Sequence, residues 1–341
     1  MPLFSGKPVF VTGTGIHLPK RVLTNQDLEK MVDTTDEWIV ERTGIRTRHI
    51  AAPGELTSDL AYAAGLEALG SAGLNPENLD MILVATNSPD TLFPGVAAKV
   101  QGKLEATRAG AADLQSGCTG CVYALAIASA GIASGLWENV LVVGAEVLSS
   151  LINWQDRNTC VLFGDGAGAM VLSSNPAGAL ARVLSSDLRS DGTRHDLISF
   201  PGGLVENPTS PNTLEENLHS VQMKGNEVFK FVNQALPGFL RESCEKSGLE
   251  PAQIDWWIFH QANLRIIDSV LKRLQVESSK TFVNLDKYGN TSAASVFLAF
   301  HEAYAEGKLA PSQKVLITSF GAGMTYGDII LEMQGGRHAE K

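Results

Sequence analysis

The sequence predicts an α/β protein made of two similarly built halves, each with a sheet covered by helices. The main observation is an internal repeat: residues 72–84 (AGLNPENLDMILV) recur 175 positions later as residues 247–259 (SGLEPAQIDWWIF). The same offset aligns the apolar run 140–142 with 315–317. Short apolar runs that alternate with helical segments are typical of strands buried between helices. Because no linker separates the repeats and their period is far longer than that of a solenoid, we expect the halves to pack as one body.

The composition excludes several classes of protein. The chain has 341 residues, of which 44% are hydrophobic and 19% charged, and its net charge is −10. A general nucleic-acid-binding protein needs a positive surface, which this net charge disfavours. Four cysteines without a leader sequence do not make the disulfide framework of a secreted protein. We therefore expect a cytoplasmic protein that binds neither nucleic acid nor a membrane.

The first strand, within residues 9–19 (VFVTGTGIHLP), runs into two glycines and so suggests a dinucleotide-binding turn. Leu18 stands where the third glycine would be, and Pro19 follows where a helix should open. We therefore expect a strand that enters a loop. Two short helices should follow, and the second places Trp38 and Arg42 one turn apart on one face.

Residues 113–123 (DLQSGCTGCVY) hold the candidate nucleophile, Cys118. It begins an uncharged run, residues 116–137, that would be apolar on every side of a helix and is therefore predicted to be a buried helix rather than a membrane span. The partial positive charge of a helix N-terminus lowers a thiol pKa and favours the nucleophilic thiolate. A structural buried cysteine is the alternative. The CxxC pair with Cys121 lacks a thioredoxin setting and a second zinc-ligand pair, so we expect Cys121 to face the core.

The repeat brings two further polar residues towards Cys118. His260 directly follows the strand that ends the second copy, and Asn290 precedes a helix at the position equivalent to Gln115. A pseudo-twofold axis would place both beside Cys118. A lone histidine is more often structural, but its position at a strand end in this repeat favours a functional role.

Two glycine-rich segments receive different interpretations. Residues 319–327 (SFGAGMTYG) could be a tight turn, but with a nucleophile nearby their N–H groups would suit an oxyanion hole. Residues 163–169 (FGDGAGA) are interpreted as the bend of a hairpin.

These residues carry a close resemblance, over nearly the whole chain, to β-ketoacyl-acyl-carrier-protein synthase III, the condensing enzyme that begins fatty-acid synthesis. The resemblance rests on residues 25–46, the Cys118 segment, residues 260–266 and residues 289–295. It implies a thiolase-like fold with two pseudo-twofold-related α/β/α halves, each with a mixed five-stranded sheet. Residues 1–178 would carry the cysteine, and residues 179–341 the histidine and asparagine. It also implies a homodimer, with no metal and no cofactor, because acyl-CoA is a substrate.

The resemblance also implies roles for individual residues. The catalytic set is Cys118, His260 and Asn290, and the oxyanion hole is formed by Cys118 and Gly323. The remaining residues are, for coenzyme A, Thr34, Trp38, Arg42, Arg157, Gly225, Phe229, Ala262 and Asn263; for the acyl pocket, Phe93 and Phe320; and for carrier-protein docking, Lys230, Arg265, Lys272 and Arg273. The chain departs from the family pattern at Cys121, Ala322, Tyr326 and a lengthened loop at 202–216, which puts the acyl-chain preference in doubt.

The implied reaction is a decarboxylative condensation of an acyl-CoA with malonyl-acyl-carrier protein. One alternative on the same fold is an acyltransferase that uses an alcohol or amine, or a polyketide-type starter enzyme. The other is a non-catalytic partner subunit. The presence of both His260 and Asn290 favours condensation, and the presence of Cys118 argues against an inactive subunit.

Overall fold

The structure is a computed structural model that describes residues 6–336. Its strands are β1 (Phe10–His17), β2 (Arg21–Thr24), β3 (Thr47–Ile50), β4 (Met81–Ala85), β5 (Gly110–Leu114), β6 (Asn139–Glu146), β7 (Gly166–Ser173), β8 (Ala181–Ser190), β9 (Ile198–Ser199), β10 (Gln222–Met223), β11 (Trp256–Phe259), β12 (Lys314–Gly321) and β13 (Thr325–Met333). Its α-helices are α1 (Asn25–Leu28), α2 (Asp36–Thr43), α3 (Thr57–Ala72), α4 (Val96–Lys103), α5 (Gly120–Ala133), α6 (Arg157–Cys160), α7 (Pro211–Glu215), α8 (Gly225–Lys246), α9 (Leu264–Leu274), α10 (Leu285–Tyr288) and α11 (Ser295–Ala305).

The main sheet confirms the predicted α/β class and the two related halves. Its strand order is β5-β4-β6-β7-β1 in the first half, continued by β8-β13-β12-β11 in the second. Adding the repeat offset of 175 to the first and last residues of β6 gives the first and last residues of β12. Both halves mix parallel and antiparallel pairs. The second half differs from the expected five strands in having four, because only Thr281 bridges the outer side of β11.

The two halves meet around a central pair of helices. One buried cluster joins residues of α5 and α11 to strands of both halves. A second cluster packs α3 and α4 on the outer side of the first half, and a third packs α8 and α9 on the outer side of the second half. The uncharged helix α5 is therefore buried, as predicted. No helix within residues 6–336 is long and apolar enough to span a membrane.

The glycines of β1 serve helix packing rather than a nucleotide. A Cβ placed on Gly13 would lie 2.3 Å from the Ala68 carbonyl oxygen, and one on Gly15 would lie 2.4 Å from the Ala68 nitrogen. Helix α3 therefore lies directly against the strand backbone. The strand ends at His17 without opening a helix, as expected. The hairpin-bend interpretation of residues 163–169 is wrong, because Gly166 begins strand β7, which pairs with both β1 and β6.

A buried arginine fastens the β2–β3 hairpin to the body of the first half. The Arg48 guanidinium is fully buried and donates to Asn25 Oδ1 at 2.8 Å and to the Val161 carbonyl oxygen at 2.7 Å. Asn25 in turn donates to Asp36 at the start of α2. This network positions α2, and with it Trp38.

Strand β13 holds a buried carboxyl group, Asp328, that makes stability depend on pH. Burial raises the pKa of Asp328 to about 7, and the neighbouring Asp187 contributes in the same direction. Ser243 donates to Asp328 Oδ1 at 2.8 Å, whereas Oδ2 has no hydrogen-bond partner among the described residues. Since the folded state then holds the proton more tightly than the unfolded state, this group's contribution to stability decreases as pH rises from about 4 to about 7.

We expect Asp328→Asn to flatten the fall in unfolding free energy between about pH 4 and about pH 7, measured by urea denaturation at each pH. Asp196→Asn is the control, because Asp196 is exposed and paired with Lys224, which lowers its pKa and places its effect below this range. Identical pH profiles for wild type and Asp328→Asn would contradict the assignment.

Candidate active site

Cys118 lies in a tight turn between β5 and α5, pressed against the second half of the chain. Gly117 has a φ of 55°, and a Cβ placed there would lie 2.4 Å from the Ala322 nitrogen. A Cβ on Gly321 would lie 2.3 Å from the Cys118 nitrogen. Both positions therefore require glycine, and their contact brings the cysteine turn and the 321–323 turn together.

The electrostatic environment of Cys118 differs from the prediction. Burial raises the pKa of the Cys118 thiol to about 12, and the Glu146 carboxylate contributes in the same direction. The Ser292 hydroxyl, which donates to Sγ at 3.3 Å, opposes the shift. The expected lowering of the thiol pKa at the start of α5 is therefore wrong for this site, because desolvation dominates. Cys121 faces the core, as predicted, with its sulfur packed on Gly144.

His260 follows β11 and is almost completely buried. Burial lowers its pKa to about 3, so its imidazole is neutral at neutral pH. The Ser295 hydroxyl lies 2.7 Å from Nδ1 and accepts a hydrogen bond from the Gln261 N–H. Because the Ser295 oxygen accepts the Gln261 N–H, its hydroxyl can donate to Nδ1 of His260. In that tautomer Nδ1 carries no hydrogen, and Nε2 is the nitrogen that can donate.

Asn290 is held by the backbone on both sides. Its N–H donates to the Leu162 carbonyl oxygen at 2.8 Å, and its carbonyl oxygen accepts from the Gly164 N–H at 3.0 Å. Its side-chain Oδ1 accepts from the Ser292 N–H at 2.8 Å. The amide oxygen is thus occupied, and the NH₂ group remains available as a donor.

One cavity of about 750 Å³ contains all three of these side chains. The predicted oxyanion-hole residue Gly323 and the predicted acyl-pocket residue Phe320 also line it. The Phe320 ring contacts the imidazole of His260 edge-on, with ring centroids 5.3 Å apart. The remaining predicted residues on the cavity wall are Trp38, Arg42, Gly225, Phe229, Ala262, Asn263 and Arg265.

Cationic and aromatic groups gather at Trp38, beside this cavity. The Arg157 guanidinium carbon lies 4.8 Å from the Trp38 ring centroid and that of Arg42 lies 5.8 Å from it. Arg157 also donates to the Asp33 carbonyl oxygen at 2.8 Å. Thr34 Oγ1 is buried without a hydrogen-bond partner in the part of the chain that the structure describes. The two guanidinium groups and the Trp38 ring offer positive charge and an aromatic face to a ligand, whereas the Thr34 hydroxyl does not line the cavity.

Other predicted site residues lie away from the cavity. Phe93 is 81% exposed on the loop before α4. Lys230 is exposed on α8 beside Phe229, and Lys272 and Arg273 are in the last turn of α9. At 1.5 Å per residue, that turn is about 10 Å from Arg265. The four predicted docking cations therefore do not form one cluster at the cavity.

Comparison with known proteins identifies the family. Models of 3-oxoacyl-[acyl-carrier-protein (ACP)] synthase III and of its C-terminal part match residues 112–192 and 244–333. A β-ketoacyl-[acyl-carrier-protein] synthase III of Caldanaerobacter subterraneus subsp. tengcongensis is 50% identical over 322 residues, which cover 94% of this chain and 97% of the relative. The chain belongs to the β-ketoacyl-[acyl-carrier-protein] synthase III family.

Solved structures of synthase III agree with this membership. The crystal structure of 3-oxoacyl-[acyl-carrier-protein] synthase III from Aquifex aeolicus VF5 has a TM-score of 0.87 and 43% identity, and the match covers 95% of this chain and 99% of that one. A priming β-ketosynthase from the R1128 polyketide biosynthetic pathway has a TM-score of 0.88 and 31% identity, and the match covers 98% of each chain. The resemblance seen in the sequence is therefore confirmed.

Sequence reasoning missed several polar residues at this synthase III site. Ser292 and Ser295 lie in the segment 289–295 that carried the resemblance, but no role was assigned to them. Glu146 ends the apolar strand β6 and is fully buried. The position of an acidic residue at the end of a buried strand could have indicated polar partners nearby, since charged groups are rarely buried without partners.

Proposed function

We propose that this chain condenses an acyl-CoA starter with malonyl-acyl-carrier protein, through an acyl-enzyme on Cys118, and so initiates fatty-acid synthesis. The observation that carries the proposal is the convergence of Cys118, His260 and Asn290 in one cavity, with Nε2 of the histidine and the amide NH₂ of the asparagine left as donors. Membership of the synthase III family makes the chain an acyltransferase.

In the first half-reaction the Cys118 sulfur attacks the thioester carbonyl of the acyl-CoA. The carbonyl oxygen becomes an oxyanion, which the N–H groups of Cys118 and Gly323 would stabilise. The bond to the CoA sulfur then breaks, CoA leaves with the thiol proton, and the acyl group stays on Cys118. The packing of the 321–323 turn on Cys118 supports this role for Gly323.

In the second half-reaction malonyl-acyl-carrier protein occupies the cavity. His260 Nε2–H and the Asn290 amide donate to its thioester carbonyl, so that loss of CO₂ leaves a stabilised enolate. The enolate carbon attacks the acyl thioester, and the Cys118 thiolate departs. Burial of His260 supports this role, because the low pKa keeps the imidazole neutral at neutral pH.

Coenzyme A would bind at the Trp38 end of the cavity. The Arg42 and Arg157 cations suit its phosphates, and the Trp38 ring suits adenine, which would separate Arg157 from that ring. Thr34 is assigned to coenzyme A by the resemblance alone, because its hydroxyl is buried and does not line the cavity. The residues Gly225, Phe229, Ala262 and Asn263 then line the path of pantetheine.

The chemistry uses only thiol, imidazole, amide and backbone groups, so we propose no cofactor and no metal. The cytoplasmic location stays a prediction from composition.

A stepwise mass experiment tests this function. Intact-mass spectra after exposure to a panel of acyl-CoAs should show one added acyl group on Cys118. Malonyl-acyl-carrier protein should then remove it as a 3-oxoacyl product. The similarity to the polyketide priming enzyme makes polyketide carrier proteins the second set of acceptors to test. An acyl group that moves only to an alcohol or amine would support the acyltransferase alternative instead.

We also propose a homodimer, formed at the outer edge of the first half. Strand β5 ends the sheet, and four of its five residues are exposed. Such an open edge is suited to pairing with a second copy. Leu92 and Phe93, 70% and 81% exposed, would also be covered there.

In that dimer Phe93 would close the partner's acyl pocket and favour short starters. We expect Phe93→Thr to shift acyl-CoA preference towards longer chains by roughly tenfold in kcat/KM, the low end of what one methylene of pocket space contributes. Leu214→Thr, which changes an exposed leucine of α7 in the second half, serves as the control. An unchanged chain-length profile for Phe93→Thr would refute the role.

Carrier-protein docking is proposed to centre on Arg265 and Lys230. An acidic enzyme meets an acidic carrier slowly unless a local patch has the opposite charge. We expect Arg265→Glu to raise the KM for malonyl-carrier protein about tenfold, with the KM for acyl-CoA nearly unchanged, and carrier affinity to fall with salt. Arg273→Glu reverses the same charge at the far end of α9 and should have a smaller effect. Equal changes for both substrates would contradict the docking role.

A further inference from the structure

A chain of hydrogen bonds leads from a buried carboxylate to the sulfur of Cys118. Glu146 is fully buried and accepts from Ser88 Oγ at 2.6 Å, from the Asn87 N–H at 3.0 Å and from Asn87 Nδ2 at 2.8 Å. Asn87 Nδ2 also donates to Ser292 Oγ at 3.2 Å. Ser292 Oγ donates to Cys118 Sγ at 3.3 Å. The reaction scheme above assigns no role to Glu146, Asn87 or Ser292.

Two of these hydrogen bonds, from Asn87 to Ser292 and from Ser292 to Cys118, run towards the sulfur. A carboxylate only accepts hydrogen bonds, so Glu146 turns the NH₂ of Asn87, rather than its oxygen, towards itself. The second hydrogen of that NH₂ then occupies a lone pair of Ser292 Oγ. The hydroxyl hydrogen of Ser292 points at Sγ, 3.3 Å from Oγ, with Glu146 as a second acceptor near this hydroxyl. Across residues 6–336, the sulfur accepts a hydrogen bond from no other side chain.

The backbone at Ser292 is an independent sign of a constrained position. Its φ is 49°, in the left-handed region that residues other than glycine rarely adopt, and such residues cluster at active sites. In this conformation the Ser292 N–H holds Asn290 Oδ1 while its hydroxyl holds Cys118 Sγ. One residue therefore contacts both the nucleophile and a donor of the second half-reaction.

We propose that Ser292 is a catalytic residue that donates a hydrogen bond to the Cys118 sulfur, and that Asn87 and Glu146 are positioning residues that fix the direction of this bond. The bond favours the thiolate over the buried thiol when the sulfur attacks, and again when the thiolate departs after condensation. The inference rests on the proposed function for its role in turnover, but the bond acts on the sulfur whether or not an acyl substrate is present.

The test is the rate of Cys118 alkylation by iodoacetamide between pH 6 and pH 10, with the labelled residue assigned by peptide mapping. We expect Ser292→Ala to slow alkylation about tenfold or more at each pH below the thiol pKa, since a hydrogen bond to a charged group is lost. Asn87→Ala should act in the same direction with a smaller effect, because it removes the N–H on Ser292 Oγ and leaves the charge of Glu146 unchanged. Ser129→Ala is the matched control, since the Ser129 hydroxyl is buried in α5 without a hydrogen-bond partner in the described chain.

A second measurement separates this role from a structural one. Decarboxylation of malonyl-CoA depends on His260 and Asn290, and the Ser292 N–H that holds Asn290 is kept in Ser292→Ala. The loss of alkylation in that variant should therefore exceed its loss of decarboxylation by about fivefold or more. Alkylation rates equal to wild type across the pH range, or equal losses of alkylation and decarboxylation, would overturn the proposal. If wild type accepts no acyl group from any acyl-CoA, the proposed function fails while the alkylation result still decides the hydrogen bond.

Discussion

Replacing Cys118 with alanine is expected to lower acyl transfer about a thousandfold or more, because Cys118 is the one thiol among the described residues that line the cavity. Intact-mass spectra after exposure to acyl-CoA should show no adduct. Decarboxylation of malonyl-CoA should persist, because His260 and Asn290 donate to the malonyl thioester without help from the sulfur.

Cys121→Ala is the matched control for this variant. The Cys121 sulfur packs on Gly144 in the core, so its loss should leave acylation intact. An acyl adduct on Cys118→Ala, or loss of the adduct in Cys121→Ala with the fold preserved, would show that the nucleophile is assigned to the wrong residue.

Replacing His260 or Asn290 with alanine is expected to preserve acylation and to impair condensation. Each variant should accept an acyl group at a rate within a few-fold of wild type, and condensation should fall about a hundredfold to a thousandfold, the usual cost of removing one donor to a developing oxyanion. Acylation is followed by intact mass, and condensation by CO₂ release and product analysis.

His195→Ala, which changes an exposed histidine outside the cavity, controls for loss of imidazole as such. If His260→Ala or Asn290→Ala lost acylation before condensation, the two half-reactions would not be divided between Cys118 and these two donors as proposed.

The meeting of Cys118, His260 and Asn290 could be predicted because of the repeat. A shift of 175 residues relates the strand ends of the two halves, so that residues far apart in the chain become neighbours once the halves pack face to face. The burial of helix α5 could be predicted equally well, since an uncharged run rich in small residues has no polar face to expose to water.

The electrostatics of the site could not be predicted in the same way. The thiol pKa of Cys118 depends on how completely the second half covers the sulfur, and local sequence suggested only the opposing effect of a helix start. Glu146 was missed because its partners, Asn87 and Ser88, come from a different strand end. The 163–169 segment was misread because its glycines resemble a turn, whereas Gly168 lies where a Cβ would be 2.6 Å from the Phe297 Cβ.

The contact of Gly117 with Ala322 has a consequence for how this protein can vary. The turn that presents the nucleophile is also one of the contacts between the two halves, so a substitution that weakens this contact is expected to lower activity together with stability. Substitutions that weaken the contact between the halves would then be selected against because they lower activity. Heat inactivation and separation of the halves should accordingly be one cooperative event, and halves expressed as separate chains should recover activity only to the extent that they reassemble.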